Sequence, residues 1–353
     1  MLTHLNGYGA AKKMIVNICA SGSSGSTLLS HILNRHPDIF SGRELGLFSK
    51  NILFENFDLI KKRKYLVKMF GISSRPYFDE RSIFRNLKSF NLNREEVWKL
   101  LEYSKNLNDF VYSLKKIILE KQTKEKIIWA EKTPENIFLI KYFLKCFPSE
   151  KIIHIVRDPR DVIISLMGRG ISLLYAAETW LSSVASIQPF VNNTNVLEVK
   201  YEELVRASDQ VIKSICIFLG IPFYDDMLNE NENEHKKNDY FTSWKNTPGS
   251  KISTGSLNRY KNSDIKFNNI FKMRISDEFA TLQGIKRYTI IELMEKYDYK
   301  IEDFDNNDCN NYVKYKQNDF IYKKDLKYNI KNFIEKILLN EKRNISKVDI
   351  CNE

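Results

Sequence analysis

No run of about 18 apolar residues occurs in the 353-residue chain, so the sequence predicts no bilayer-spanning helix. The opening residues also lack the apolar core of a secretory signal. Both absences make the cytoplasm the expected location. Cysteine is scarce and odd in number: Cys19, Cys146, Cys216, Cys309 and Cys351, with no metal-ligand spacing among them. A disulfide framework and a zinc site are therefore not expected, and no other metal site is predicted. The first three cysteines lie in apolar runs and read as buried free thiols. No segment repeats. A Walker A lysine is missing too. When the closing glycine of that motif is aligned on Gly25, Ser26 stands where lysine belongs and Ala20 where the first glycine belongs. That loop, together with the want of a clear Walker B acid, disfavours a nucleoside or small-molecule kinase.

What is present is a chain built to fold. Hydrophobic residues make up 43% and aromatics 12%, enough for a sizeable core. The net charge of +11 suits a polyanionic partner. Its lysines, however, are scattered over amphipathic helices and the last fifty residues rather than gathered in a stripe. The composition therefore names no nucleic-acid partner.

The stretch from Met14 to Arg35 organises the rest. Ile15, Val16, Ile18 and Cys19 read as a buried strand, Ser21 to Gly25 as a turn, and Leu28, Leu29, Ile32 and Leu33 as a helix. Ser26 and Thr27 suit the helix cap. A strand, a small-residue loop and a helix N-terminus together form an anion site, because loop amides and the helix dipole favour negative charge at one spot. Glycine lets the backbone come close to a phosphate. Residues 127–136 read as a short strand followed by a loop, and Ile152 to Val156 as another buried strand. Pro134 opens a helix that runs to about Cys146, and Arg157-Asp158-Pro159 turns into another. Further elements are a strand from Asn195 to Val199, a helix over 207–219 and a helix over 275–297. Alternating strands and helices predict an α/β fold with a mainly parallel sheet flanked by helices. Such sheets bind ligands beyond the C-terminal strand ends, where the Gly22 loop and Arg157 both fall.

In that order the motifs resemble the sulfotransferases that use 3′-phosphoadenosine 5′-phosphosulfate (PAPS), a P-loop-like nucleotide-binding family. G-S-S-G-S-T-L-L from Gly22 resembles the family's 5′-phosphosulfate loop. I-V-R-D-P-R-D-V-I-I-S resembles the 3′-phosphate motif, with Arg157 followed eight residues later by Ser165. V-K-Y-E-E-L-V, containing Tyr201, is similar to the Tyr-Glu-x-Leu segment, and I-S-T-G-S-L-N-R-Y-K at 252–261 is similar to the late cofactor loop. The resemblance covers roughly residues 14–300. It implies a domain over 1–303 with a helical insert at about 49–125, followed by a partly helical Lys/Asn-rich tail at 304–353. It also implies PAPS as donor and 3′,5′-ADP as product. The cofactor residues it points to are Gly22, Ser23, Ser24, Gly25, Ser26, Thr27, Arg157, Ser165, Tyr201, Gly255, Ser256 and Arg259, with Tyr260 a second candidate for the adenine or ribose. The acceptor, a small molecule, a glycan or a peptide, would be gripped by residues 49–125 and 225–250.

Physical chemistry agrees with the resemblance. A guanidinium grips a phosphate bidentately, which suits Arg157. A sulfuryl group carries less charge than a phosphoryl group, so transfer is expected without a metal clamp. What it needs is a base for the acceptor's proton and donors on the bridging oxygen. Many family members carry Lys or Arg where this chain has Ser23, which leaves open a binding protein that has lost transfer. Lys132, in A-E-K-T-P, is the candidate replacement cation. Glu44, in S-G-R-E-L-G, is the candidate base, ahead of His31 and His36. His154 lies inside a strand and suits neither role.

Overall fold

The computed structural model describes residues 14–49, 51–55, 57–58, 87–122, 126–229 and 252–301. The expected polar leader, the tail at 304–353, the middle of the insert and most of the 225–250 segment lie outside the described residues.

Five parallel strands form one sheet: β1 (Ile15–Ala20), β2 (Ile39–Ser41), β3 (Ile128–Lys132), β4 (Lys151–Val156) and β5 (Val196–Lys200). Their spatial order is β2-β3-β1-β4-β5. The connection leaving β1 runs toward β2 and that leaving β4 runs toward β5, in opposite directions. The point between β1 and β4 is therefore the topological switch, where a crevice opens beyond the strand ends. β1 has all six residues buried because helices cover both of its faces. Its side chains alternate. Ile15 and Cys19 join the aromatic cluster of Phe48, Phe110, Trp129 and Phe143. Val16, Ile18 and Ala20 join Leu28, Leu29, Ile32 and Leu33 on the opposite face.

Four helices position the site. They are α1 (Ser26–Asn34), α2 (Pro159–Met167), α3 (Leu173–Ile187) and α4 (Tyr201–Arg206). α2 begins with Pro159 at its first turn and Asp158 as its cap, the Asp158 side chain accepting from the Arg160 amide. α3 and α4 are additions to the sequence reading. α3 carries buried Ala176, Ala177, Trp180, Leu181 and Val184 at helical spacing behind a Ser172 cap. α4 starts directly at Tyr201, where a strand end is expected. The single helix expected over 275–297 is instead two, Asp277–Gln283 and Ile290–Lys296. Gly284 ends the first in the left-handed region (φ 66°), and Thr289 starts the second with a capping box to Glu292. The segment opened by Pro134 is a 3-10 turn (Pro134–Leu139) before it becomes α-helix at Ile140–Cys146.

Cys19, Cys146 and Cys216 are buried and none of them is in a disulfide among the described residues, as their apolar settings suggest. Burial pushes the Cys216 thiol up to about 11 and that of Cys19 further, so both are poor nucleophiles. Among the described residues, no helix is long and apolar enough to cross a membrane.

Candidate active site

The loop after β1 turns tightly. Ser24 N–H donates to the Ser21 carbonyl (3.3 Å), and the Ser21 and Ser24 hydroxyls share a 2.6 Å hydrogen bond. Ser23 takes a left-handed φ of 69°. The helix cap is Gly25, not Ser26 or Thr27, and no side chain caps α1. The reason is steric. Gly25 sits at φ 99°, and a Cβ there would lie 2.2 Å from Cδ2 of Tyr201. Only glycine fits, so the turn closes one residue earlier than the cap residues suggest. Ser26 and Thr27 thus enter the helix. Leu29 N–H donates to the Gly25 carbonyl (3.1 Å), leaving the amides of 26–28 as the open helix end. Gly25→Ala is expected to destabilise the protein by about 1–3 kcal/mol, the scale of a strained backbone position, as a lowered urea midpoint.

Arg157, at the end of β4, reaches into this loop. Its Nη1 donates to the Ser23 carbonyl (3.1 Å), its Nη2 donates to the Ser256 carbonyl, and its guanidinium lies 4.5 Å from the Tyr201 ring centroid. The Tyr201 hydroxyl meets the Ser256 hydroxyl at 2.5 Å. Asp161, one helical turn after Arg157, approaches Nη2 at 3.5 Å and accepts from the amides of Asn258 (2.8 Å) and Tyr260 (3.3 Å). Trp180 of α3 donates its indole N–H to the Arg157 carbonyl (2.8 Å). Four separate motifs thus meet at the switch point. Tyr260 stacks under the Arg160 guanidinium (3.9 Å), which itself pairs with Asp158 at 2.7 Å.

Among the described residues, two buried polar atoms of this crevice, Ser23 Oγ and Arg157 Nε, have no hydrogen-bond partner. Both are donors, and both belong to the segments expected to hold an anion. A phosphorylated ligand fits them, since a buried donor left unmade is costly.

Lys132, the last residue of β3, is almost fully buried. Its Nζ lies 2.8 Å from Glu44 Oε1 and 3.5 Å from Thr27 Oγ1 at the start of α1. The two candidate catalytic residues are therefore one ion pair beside the helix end. The Glu44 side chain keeps 30% of its exposure against 3% for Lys132, so Glu44 is the partner that an incoming molecule can touch. Arg169, just beyond α2, places a second positive charge within electrostatic reach of Glu44. Neither Asp161 nor Arg169 belongs to the sequence-derived set. The i, i+4 spacing of Arg157 and Asp161 in R-D-P-R-D was the available signal for the former; the place of Arg169 is a product of the fold.

Other expected residues stand apart from these contacts. Ser165 is half-buried two turns along α2, and Gly255 and Arg259 are exposed in the late loop. His36 is structural: its ring bonds the Pro222 carbonyl (2.9 Å) and accepts from the Asp38 amide (3.0 Å), and burial lowers its pKa. His154 pairs with Glu198 at 2.9 Å inside the sheet. His31 lies in the last turn of α1.

The fold and the crevice define a P-loop-like α/β protein with buried hydrogen-bond donors gathered at its switch point. The family model described as "Sulfotransferase family" matches residues 16–226, and the chain belongs to that family. It is similar to a protein-tyrosine sulfotransferase of Drosophila melanogaster, at 20% identity over 226 residues. That match takes in 61% of this chain and 40% of the relative, less than half of the relative's length. The sulfotransferase domain from the Synechococcus PCC 7002 olefin synthase shares the fold, with a TM-score of 0.57 at 22% identity over 82% of this chain and 95% of that one. The sulfotransferase domain from the curacin biosynthetic pathway aligns over 82% of this chain and 98% of its own, at 20% identity and a TM-score of 0.46.

Proposed function

We propose that this chain transfers a sulfuryl group from PAPS to a hydroxyl or amine acceptor by in-line displacement, releasing 3′,5′-ADP. The observation that carries the reading is the meeting of Lys132, Glu44 and Thr27 at the open end of α1. A base and a cation stand there beside an anion-binding loop. PAPS supplies the activated sulfuryl group; the rest is done by residues of the chain. The amides after Gly25, with Ser23 Oγ, hold the 5′ end. Arg157 holds the 3′-phosphate through Nε and Nη2, the latter exchanged from the Ser256 carbonyl. Glu44 takes the acceptor's proton, and Lys132 meets the negative charge that develops on the bridging oxygen. The charge missing at Ser23 is thereby supplied from β3, which favours an active enzyme over a binding protein that has lost transfer. Small molecules, glycans and peptides remain the acceptor classes. The functional unit extends beyond residue 226 to about 303, because Ile290, Leu293 and Met294 pack on Trp180 and Val184 of α3.

Titration with 3′,5′-ADP in the absence of magnesium tests the donor site, and sulfate release from PAPS tests the chemistry. Tight magnesium-free binding with release is expected. A preference for Mg-ATP would instead mark a kinase. Asp161→Asn removes one acceptor and the charge that hold the late loop. It is expected to weaken 3′,5′-ADP binding by about 1–2 kcal/mol, measured by calorimetry.

A further inference from the structure

Glu131 precedes Lys132 on β3 and therefore faces the other side of the sheet, among aromatic and aliphatic side chains. It is 1% exposed. A carboxyl group in such a place is expensive unless every oxygen is hydrogen-bonded. Here the bonds come from the Gly46 loop and from the turn that follows β3. Oε1 accepts from the Gly46 amide (3.1 Å) and from the Thr133 hydroxyl (2.7 Å), and Oε2 accepts from Asn136 Nδ2. Thr133 Oγ1 accepts from the same Gly46 amide (3.0 Å). Asn136 is tied in turn to Asn17 Oδ1 of the central strand (2.9 Å). Burial pushes the Glu131 carboxyl above the usual range, and the bonds from Thr133, Asn136 and Gly46 oppose that rise.

Gly46 is two residues beyond Glu44 and holds a left-handed φ of 72°. Adjacent residues of one strand therefore grip a three-residue segment from opposite faces: Lys132 holds the Glu44 carboxylate, and Glu131 holds the Gly46 backbone. An apolar side chain would fill the Glu131 position at less cost, so what the carboxyl adds is the fixed place of that loop.

We propose that Glu131 is a positioning residue for sulfuryl transfer, holding the Glu44 carboxylate against Lys132 through the Gly46 amide. The proposal rests on the reading of Glu44 as the base. Its test compares Glu131→Ala, Glu131→Gln and Glu44→Gln in the full chain. Turnover is read as sulfate release from PAPS to water, per site titrated with 3′,5′-ADP. Amide hydrogen exchange is followed at Gly46. Glu131→Ala is expected to lower turnover by about tenfold to a hundredfold, the scale of a misplaced reacting group, with 3′,5′-ADP affinity unchanged and Gly46 exchange faster.

Glu131→Gln is expected to restore both, because its oxygen still accepts from Gly46 and Thr133. Its amide then faces Asn136, whose buried Oδ1 has no partner among the described residues and can turn to accept if Asn17, whose Nδ2 is equally unpartnered, turns with it. Wild-type turnover in Glu131→Ala, or loss in Glu131→Gln equal to that in Glu131→Ala, overturns the proposal. If Glu44→Gln keeps full turnover, the base assignment falls and the proposal with it. If Glu44→Gln is inactive while Glu131→Ala is not, only the positioning role falls. Should Glu131→Ala fail to fold, Glu131→Met removes both carboxylate oxygens from the Gly46 and Asn136 bonds without opening a cavity. Unchanged turnover and unchanged Gly46 exchange in that variant would overturn the proposal equally.

Discussion

Glu44→Gln is expected to cut turnover by roughly 10²–10⁴-fold, the range for losing a positioned general base. The affinity for 3′,5′-ADP should stay as it is. Glu44 pairs with Lys132, and glutamine keeps its shape while losing its ability to take a proton. Lys132→Ala should also slow turnover and leave binding largely intact, because the loop amides and Arg157 remain. The two residues touch at 2.8 Å, so their effects should not add. The double variant is expected to lose less than the product of the two single losses. Single-turnover measurements with PAPS, paired with 3′,5′-ADP titrations, check each point. Normal turnover in Glu44→Gln would move the base elsewhere, and normal turnover in Lys132→Ala would reduce that lysine to a buried counter-ion.

Arg157→Ala is the change with the largest expected effect on binding. A loss of about 1.5–3 kcal/mol in 3′,5′-ADP affinity follows from removing a charged hydrogen bond. The Arg157 side chain also ties Ser23 to Ser256, so its removal loosens both walls of the crevice. Arg157→Lys should not restore affinity, since an ammonium cannot span the Ser23 carbonyl and a phosphate in one plane. An unchanged dissociation constant in Arg157→Ala would refute the 3′-phosphate assignment.

The fold was legible where burial on both faces leaves a continuous apolar run, as in I-V-N-I-C-A and K-I-I-H-I-V. β2, with three residues, is too short to carry such a signal. α3 escaped the sequence reading, because small and hydroxylated residues dilute the stripe of Ala176, Trp180 and Val184. Gly284 hides within an otherwise helical pattern, because one left-handed residue is enough to end a helix. In the site, residue types and order pointed to Gly25, Arg157, Glu44 and Lys132. Their pairing was beyond reach, since Glu44 and Lys132 are 88 positions apart and only the β2-β3 register brings them together. Glu131 gave no signal of its own; a carboxylate beside a lysine reads as surface charge until the strand's inner face is known.

The Tyr201 ring lies against Gly25, beneath the Arg157 guanidinium and one hydroxyl away from Ser256. One side chain so placed binds the tolerances of three distant segments into a single set. Among divergent relatives, a bulkier residue at the position of Gly25 should appear only together with a smaller one at the position of Tyr201. Drift at any one of these four positions should therefore be matched by compensating drift at the others.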